Sequence, residues 1–320
     1  MSIANPELYC PFPRAVNPHV DDGAHRSLAW ARGRRLVPQD QLRRFRRAEF
    51  SGLAAATCPM ATVEDLALVT DVLVWIFLHD DLLDSTPLGR DSAAALAFES
   101  RLVALARGAT PSTDDGPLAV TLANLRRRIA RRTSVPWMER FTDHLEHYLL
   151  GNLLETQVRV AGTFPTVGEF LHTRSWAGAI EPCLALSLIV QDVPFDRDFF
   201  DDHRIRNLFE AVNQQMCWVN DLFGWSKEMA EGNAVNNLVC VLRHDRGLPL
   251  EMAIREVAQM CDDAMRHILE LEAELRATDL DRTLLEPTLA CLRAAVRGNL
   301  DWYAITGRYT EEDRRPQDVQ

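Results

Sequence analysis

Three aspartates stand at the end of an otherwise apolar helical segment. The residues from Val63 to His79 are mostly apolar, and Asp80, Asp81 and Asp84 follow directly. On a helix, Asp80 and Asp84 lie one turn apart on the same face, where two like charges destabilise the helix by roughly a few tenths of a kcal/mol. A divalent cation between them would remove that conflict, and Mg²⁺ prefers such hard oxygen ligands. The trio is therefore a candidate metal site, with a solvated acidic helix end as the alternative.

A second polar stripe follows much later in the chain. Asn220, Gly224 and Glu228 are spaced four residues apart, so on a helix they share one face. The flanking residues are mostly apolar, so polar groups buried here would need partners. The amide oxygen and the carboxylate of this stripe could complement the aspartates as metal ligands. Gly224 offers no side-chain oxygen.

Composition limits the class of partner. The chain has 320 residues, a formal net charge of −11 and 47% hydrophobic residues, which argues for a soluble globular protein and against nucleic acid or an anionic membrane as partner. Only one of the 35 basic residues is a lysine, Lys227, and it stands beside Glu228. Seven scattered cysteines without a C-x-x-C pair indicate neither a zinc site nor a disulfide framework. Without a signal-peptide pattern, we expect a cytoplasmic protein that acts on a small molecule.

These polar residues need helices to position them. The segments between breakers repeat with the helical period and show little strand alternation, so we predict an all-α protein with a single domain over 1–320. Residues 1–35 and 310–320 are expected to be irregular or lid-like, and Thr166 with Glu169 is a capping-box pattern. The predicted helices span 37–57, 62–84, 91–107, 117–132, 136–161, 166–190, 203–231, 234–246, 250–276 and 283–305.

The ordered set of motifs resembles that of the class I terpene synthases, specifically the single-domain bacterial type. The resemblance extends over nearly the whole chain and implies a helical bundle with a central active-site cavity. The matching residues are Asp80, Asp81 and Asp84 for the aspartate-rich motif, Asn220, Asp221, Lys227 and Glu228 for the second metal motif, Arg174 for the diphosphate-sensing arginine, and Arg308 and Tyr309 for the C-terminal pair.

The resemblance implies a metal-dependent reaction on an isoprenoid diphosphate. Three Mg²⁺ ions would be bound, with Mn²⁺ as a possible substitute. The implied ligands are Asp80 and Asp84 for one pair of ions and Asn220 with Glu228 for the other ion. Asp81 is a further candidate ligand, although pairing with an arginine suits it better. The implied diphosphate-binding residues are Arg174, Lys227, Arg308 and Tyr309.

The carbocation left by loss of diphosphate needs an apolar pocket lined with aromatic faces. Phe77 and Trp302 match positions where the family often has aromatic residues. Gly178 marks a break that resembles the family's effector region, where a backbone carbonyl meets the ionising carbon. Two departures stand out: Gly224 replaces the family's Ser/Thr ligand, and Ala177 stands where an acidic residue is often found. We expect water to occupy the missing ligand position, since Mg²⁺ accepts water readily.

Several functions remain open from the sequence. We expect farnesyl diphosphate to be cyclised to a sesquiterpene hydrocarbon or alcohol with release of diphosphate, by a monomer or homodimer. A diterpene synthase acting on geranylgeranyl diphosphate and a catalytically silent isoprenoid-binding protein are the alternatives. A prenyl diphosphate synthase would need a second D-D-x-x-D motif, which the sequence lacks.

Overall fold

The computed structural model describes residues 6–309, which form helices and turns with no strand in that range, as the all-α prediction requires. The helices of the N-terminal half are α1 (Val20–Gly33), α2 (Leu42–Arg47), α3 (Phe50–Thr57), α4 (Val63–Ser85), α5 (Ser92–Ala106), α6 (Pro117–Arg132) and α7 (Val135–Ala161). Those of the C-terminal half are α8 (Val167–Ala177), α9 (Ile180–Val190), α10 (Arg197–Asp201), α11 (His203–Glu231), α12 (Leu238–Asp245), α13 (Leu250–Arg276) and α14 (Arg282–Ile305).

Helix α4 runs through the middle of the bundle. Thr62 caps its first turn by accepting a hydrogen bond from the backbone N–H of Asp65. Helices α1, α3, α6 and α9 pack around it, and residues from Asp65 to Ile76 are buried without interruption. A helix enclosed in this way is mostly apolar, and the two acidic residues of this buried stretch, Asp65 and Asp71, are paired with Arg132 and Arg128 of α6. Asp80 and Asp81 follow where this continuous burial stops.

Helix α11 is held from both sides. It packs along α13, and the buried Val219 and Leu222 belong to an apolar cluster with residues of α8, α12 and α13. Its other face meets α9 and α14. Asn220 therefore projects from a helix whose position is fixed by packing.

Many sequence-predicted elements are confirmed. The segments predicted at 117–132, 203–231 and 250–276 form α6, α11 and α13 with the same bounds. The capping box forms as well, because Thr166 and Glu169 exchange side-chain and backbone hydrogen bonds at the start of α8. Within residues 6–309, none of the helices is long and apolar enough to cross a bilayer.

Two predicted helices are each divided by a break in the backbone. The segment 37–57 is interrupted after α2, where the Ala48 carbonyl accepts hydrogen bonds from Trp302 and Thr306 and the next residue adopts a left-handed conformation. The segment 166–190 is interrupted at Gly178 and Ala179, and Ala179 has a φ of +56°. Helix periodicity continues across both breaks, so it could not reveal them. A third segment, 234–246, begins with a 3-10 turn before α12.

Residues 1–35 are predicted to be irregular or lid-like, but 20–33 are not irregular, because they form α1. The buried stripe of α1 consists of Gly23, Ser27 and Ala31, spaced four residues apart. Small side chains let α1 pack close to α4, and a Cβ on Gly23 would meet Leu66 at 3.3 Å. Such a stripe lacks the large apolar residues by which periodicity is recognised. The short α10 also went unpredicted, and 310–320 lie outside the described residues.

Gly298 controls the approach of α14 to α3. A Cβ there would lie 2.5 Å from the Ala56 carbonyl carbon, and backbone cannot move aside as a flexible side chain can. We therefore expect Gly298→Ala to lower the free energy of unfolding by about 1–3 kcal/mol in urea titrations. Gly168→Ala in α8 is the matched control, because its Cβ would meet nothing within 4 Å, and it should be neutral or stabilising by up to about 1 kcal/mol. Equal effects of the two substitutions would contradict the packing argument.

Candidate active site

A cavity lies among α3, α4, α7, α8, α9, α11 and α14. The polar side chains on its wall include Asp80, Arg174 and Asn220, which come from three separate helices. The rest of the wall is largely apolar and aromatic, and includes Leu53, Val69, Val72, Leu73, Ile76, Phe77, Tyr148, Leu184, Leu186, Met216, Trp302 and Tyr303. An apolar chamber with a few convergent polar groups suits a ligand that has a hydrocarbon body and a charged end.

Three thiols in this wall remain neutral. Burial raises the pKa of Cys58 to about 11 and the pKa values of Cys183 and Cys217 to about 12. A thiol is a weak nucleophile compared with its thiolate. None of these three cysteines is therefore an ionised nucleophile at neutral pH.

Asp80 and Asp81 have different surroundings despite being neighbours. The side chain of Asp80 is 36% exposed and lines the cavity, with one oxygen 3.6 Å from Nη2 of Arg308. Asp81 accepts two hydrogen bonds of 2.8 Å from Arg308 and lies 3.4 Å from Nζ of Lys227. Burial would raise the pKa of Asp81, but these two cations outweigh it and lower the pKa. Asp81 is thus an ionised partner of the cations, and Asp80 faces the cavity.

Asp84 belongs to a separate buried network. One of its oxygens accepts hydrogen bonds from Arg159 at 2.6 Å and from Asn233 at 3.0 Å. Burial and the charge of Asp80 raise the pKa of Asp84 to about 8, against the lowering effect of nearby cations. The structure therefore gives different surroundings to the two aspartates that the sequence placed on one helix face as joint metal ligands.

The second motif is joined to Arg174. Its guanidinium donates to the Asn220 amide oxygen at 2.9 Å and to both oxygens of the fully buried Asp221, at 2.9 and 3.2 Å. The Asn220 amide group donates to the hydroxyls of Tyr303 at 2.8 Å and Tyr309 at 3.3 Å. Arg174 of α8, Asn220 of α11 and Tyr309, which follows α14, thus meet at one place.

Glu228 lies over the gap left by Gly224. A Cβ on Gly224 would be 2.7 Å from Oε1 of Glu228, so the carboxylate fills the space where a serine or threonine side chain would begin. The sequence predicts a water at this ligand position, but it gives no sign that the Glu228 carboxylate lies against Gly224. Burial, together with the charge of Asp221, raises the pKa of Glu228. Its Oε2 is buried, and no described residue forms a hydrogen bond with it. A buried carboxylate oxygen needs a proton or a cation, so the donor set fits a hard divalent metal ion.

Two further cations lie next to Asp81. Lys227 is only 7% exposed and also lies 2.8 Å from Glu231. Arg308 is 4% exposed, and its guanidinium carbon lies 4.7 Å above the Phe77 ring. Its Nε has no hydrogen-bond partner among residues 6–309. Both cations are held in place by carboxylates before any ligand is present. Such a preorganised group of positive charges suits an anion with several oxygens.

Phe77, Trp302 and Gly178 all line the cavity. The rings of Phe77 and Trp302 have centroids 5.3 Å apart, and Trp302 is anchored by its hydrogen bond to Ala48. Gly178 lies in the break between α8 and α9, where a Cβ would come within 2.3 Å of Sγ of Cys217. No larger residue fits at that point without displacing its neighbour.

The sequence reasoning missed the contribution of α7. Tyr148, Asn152, Glu155 and Arg159 form a polar stripe on one face of this helix, at the spacing that periodicity would have revealed. Tyr148 lines the cavity and forms a hydrogen bond with the fully buried His79, which forms a second hydrogen bond with Glu99. Burial raises the pKa of Glu155 to about 7, although Arg174 at 3.9 Å opposes the shift.

Comparisons with known proteins identify similar chains. A family model described as "Terpene synthase family 2, C-terminal metal binding" matches residues 71–267. A (+)-T-muurolol synthase from Roseiflexus castenholzii, named as cyclizing (2E,6E)-farnesyl diphosphate, is 31% identical over 94% of this chain and 93% of that protein. A germacrene A synthase from Nostoc punctiforme is 29% identical over 97% of this chain and 96% of that protein. The crystal structure of a linalool/nerolidol synthase from Streptomyces clavuligerus has a TM-score of 0.80 at 26% identity, covering 93% of this chain and 99% of that one.

Proposed function

This chain belongs to the bacterial class I terpene synthases, and we propose that it cyclises farnesyl diphosphate to a sesquiterpene hydrocarbon or alcohol with release of diphosphate. The observation that carries the proposal is a largely apolar and aromatic cavity into which the polar side chains of Asp80, Arg174 and Asn220 converge from three helices. The name of the muurolol synthase, which specifies farnesyl diphosphate, supports the choice of a fifteen-carbon substrate.

The family model indicates that a divalent metal is used, and we propose Mg²⁺, with three ions and with Mn²⁺ as a substitute. Asp80, Asn220 and Glu228 would hold the metal, because they offer the oxygen donors that Mg²⁺ prefers and one of these oxygens is buried without a partner. When bound, Mg²⁺ neutralises charge on the leaving diphosphate. We leave Asp84 out of this ligand set, because burial and the charge of Asp80 raise its pKa to about 8 and so keep its carboxyl largely protonated at pH 7.

The chain's own cations would bind and orient the diphosphate. We assign this role to Arg174, Lys227, Arg308 and Tyr309. Carboxylates already fix the three cationic side chains, so little reorganisation is needed when the negative charge of the leaving group develops. Arg308 would use the unpaired N–H of its Nε toward the anion.

The apolar wall would protect the carbocation from water. Phe77 and Trp302 present aromatic faces that stabilise positive charge. Gly178 remains our candidate for contact with the ionising carbon, since it lines the cavity at the break between α8 and α9.

Product analysis tests this proposal. The purified protein is incubated with geranyl, farnesyl or geranylgeranyl diphosphate and Mg²⁺, and extracted products are identified by mass spectrometry. We expect a sesquiterpene from farnesyl diphosphate and none after metal chelation. A product from geranylgeranyl diphosphate alone would favour the diterpene alternative. No product from any of the three would favour a silent binding protein.

Glu155 should make substrate binding depend on pH. Its pKa is raised to about 7, so the carboxylate is neutral below and charged above that pH. The charged form lies 3.9 Å from Arg174 and competes with the diphosphate for it. We expect KM to rise by about 2–5-fold between about pH 6 and 8.5 in the wild type, and to rise less in Glu155→Gln, where other groups such as Asp84, with a pKa of about 8, still titrate. Glu146→Gln, on the same helix but outside the cavity lining, should retain the full rise; an equally large rise in Glu155→Gln would contradict this role.

A further inference from the structure

A group of metal-ligating side chains lies outside the candidate active site. His144 and His147 on α7 face Glu181 near the start of α9, and one potential ligand atom from each lies within 4.8 Å of the others. Nδ1 of His144 is 3.1 Å from Oε2 of Glu181, and Nδ1 of His147 is 3.8 Å from the same oxygen. Two imidazoles from one helix thus converge on a single carboxylate oxygen of another.

The spacing fits a tetrahedral transition-metal ion. With bonds of about 2.0–2.2 Å, two ligands of a tetrahedral zinc ion lie roughly 3.3 Å apart. The contact between His144 and Glu181 already has this length, and the other distances require only small side-chain movements. Two histidines and one glutamate are an established donor set for Zn²⁺, and the fourth position would be open to water.

The group is held in place by its surroundings. The indole of Trp176 stacks on His147, with centroids 5.2 Å apart and planes 15° from parallel. Helix α7 also approaches the end of α8 very closely, because a Cβ on Gly151 would lie 2.5 Å from the backbone nitrogen of Ala177. The side chains are 20%, 46% and 31% exposed for His144, His147 and Glu181, so an ion can reach them from solvent.

We propose that His144, His147 and Glu181 form a second metal site, which takes Zn²⁺ or a similar divalent transition metal and clamps α7 to α9. Mg²⁺ does not compete, because it prefers oxygen ligands. The clamp lies next to the break that exposes Gly178 to the cavity, three residues before Glu181. A bound ion would therefore stabilise the helix break on which one wall of the cavity depends.

The charge of Glu181 agrees with this role. Burial would raise its pKa, but the hydrogen bond from His144 and the nearby imidazoles outweigh that effect and lower it. The carboxylate is thus ionised at neutral pH. For Nδ1 of His144 to bind a metal, it must lose the proton that it donates to Glu181. The neutral ring can do this by carrying its proton on Nε2 instead.

Metal titration of the full-length enzyme tests the site. Metal-stripped protein in excess Mg²⁺ is titrated with Zn²⁺ and followed by calorimetry. A parallel titration with Co²⁺ is followed by visible absorption, because tetrahedral Co²⁺ absorbs strongly. Thiolate ligands would add a near-ultraviolet band. We expect one ion per chain without the thiolate band, and an increase in Tm with Zn²⁺. His147→Asn and Glu181→Gln should each weaken binding at least about tenfold and abolish the Tm increase.

His172→Asn is the matched control, because His172 is an exposed histidine of α8 outside the group. It should bind the ion as the wild type does. Circular dichroism and Mg²⁺-dependent turnover show that His147→Asn and Glu181→Gln are folded. The proposal is overturned if the wild type binds no stoichiometric Zn²⁺, or if both variants bind it with unchanged affinity.

Discussion

Asp80→Asn should lower kcat/KM by about 10²–10³-fold while the protein remains folded. Asp80 is one of the polar residues of the cavity wall, and the substitution removes the negative charge that a metal ligand needs while keeping the size of the side chain. Because Asp80 is 36% exposed and repels the nearby Asp84, its loss should not destabilise α4. Turnover is followed by diphosphate release at increasing Mg²⁺ concentration, and we expect a higher Mg²⁺ requirement.

Asp84→Asn is the internal comparison for Asp80→Asn. The raised pKa of Asp84, about 8, means that an amide resembles its neutral form at pH 7. The hydrogen bonds from Arg159 and Asn233 end on one oxygen, which an asparagine retains. We therefore expect kcat/KM to fall by less than about tenfold, with the main change in thermal stability. If the two variants lose activity equally, both aspartates bind metal, as the sequence first indicated.

The sequence predicted those parts of the fold that local chemistry decides. The bounds of α11 follow from helical periodicity and from Gly232, which has a φ of +75° just beyond its end. The capping box at Thr166 needs only residues three positions apart. The spacing that places Asn220 and Glu228 on one face is likewise a property of a single helix. The candidate site could therefore be proposed without knowing how the helices pack.

The parts that depended on packing were not predictable in this way. Helix α1 packs through Gly23, Ser27 and Ala31, and their small size has meaning only against α4. The break at Ala48 arises because Trp302, more than two hundred residues later, takes its carbonyl as a hydrogen-bond acceptor. Its place on α4 predicts Asp84 as a metal ligand, but Arg159 of α7 determines where its carboxylate is held. Each of these outcomes requires a contact between distant segments.

Arg308→Gln should be the second severe substitution, with kcat/KM lowered by about 10²-fold or more. Arg308, which follows α14, is joined to α4 by its two hydrogen bonds to Asp81, and its Nε N–H has no partner in the described part of the chain. Glutamine removes the charge and one branch of the planar guanidinium, so it cannot hold Asp81 and a diphosphate together. Arg308→Lys restores the charge but not the paired geometry, and it should recover only part of the activity.

Folding and catalysis can be separated for Arg308 by two measurements. Lys227 still neutralises Asp81 in the variant, so no buried carboxylate is left without a cation, and circular dichroism should match that of the wild type. Arg297→Gln is the matched control: it removes a guanidinium of α14 that pairs with Asp301 and does not line the cavity. We expect near-normal turnover from it. If Arg308→Gln binds a non-ionisable diphosphate analogue as tightly as the wild type does, Arg308 only braces Asp81 and its assignment to the diphosphate is wrong.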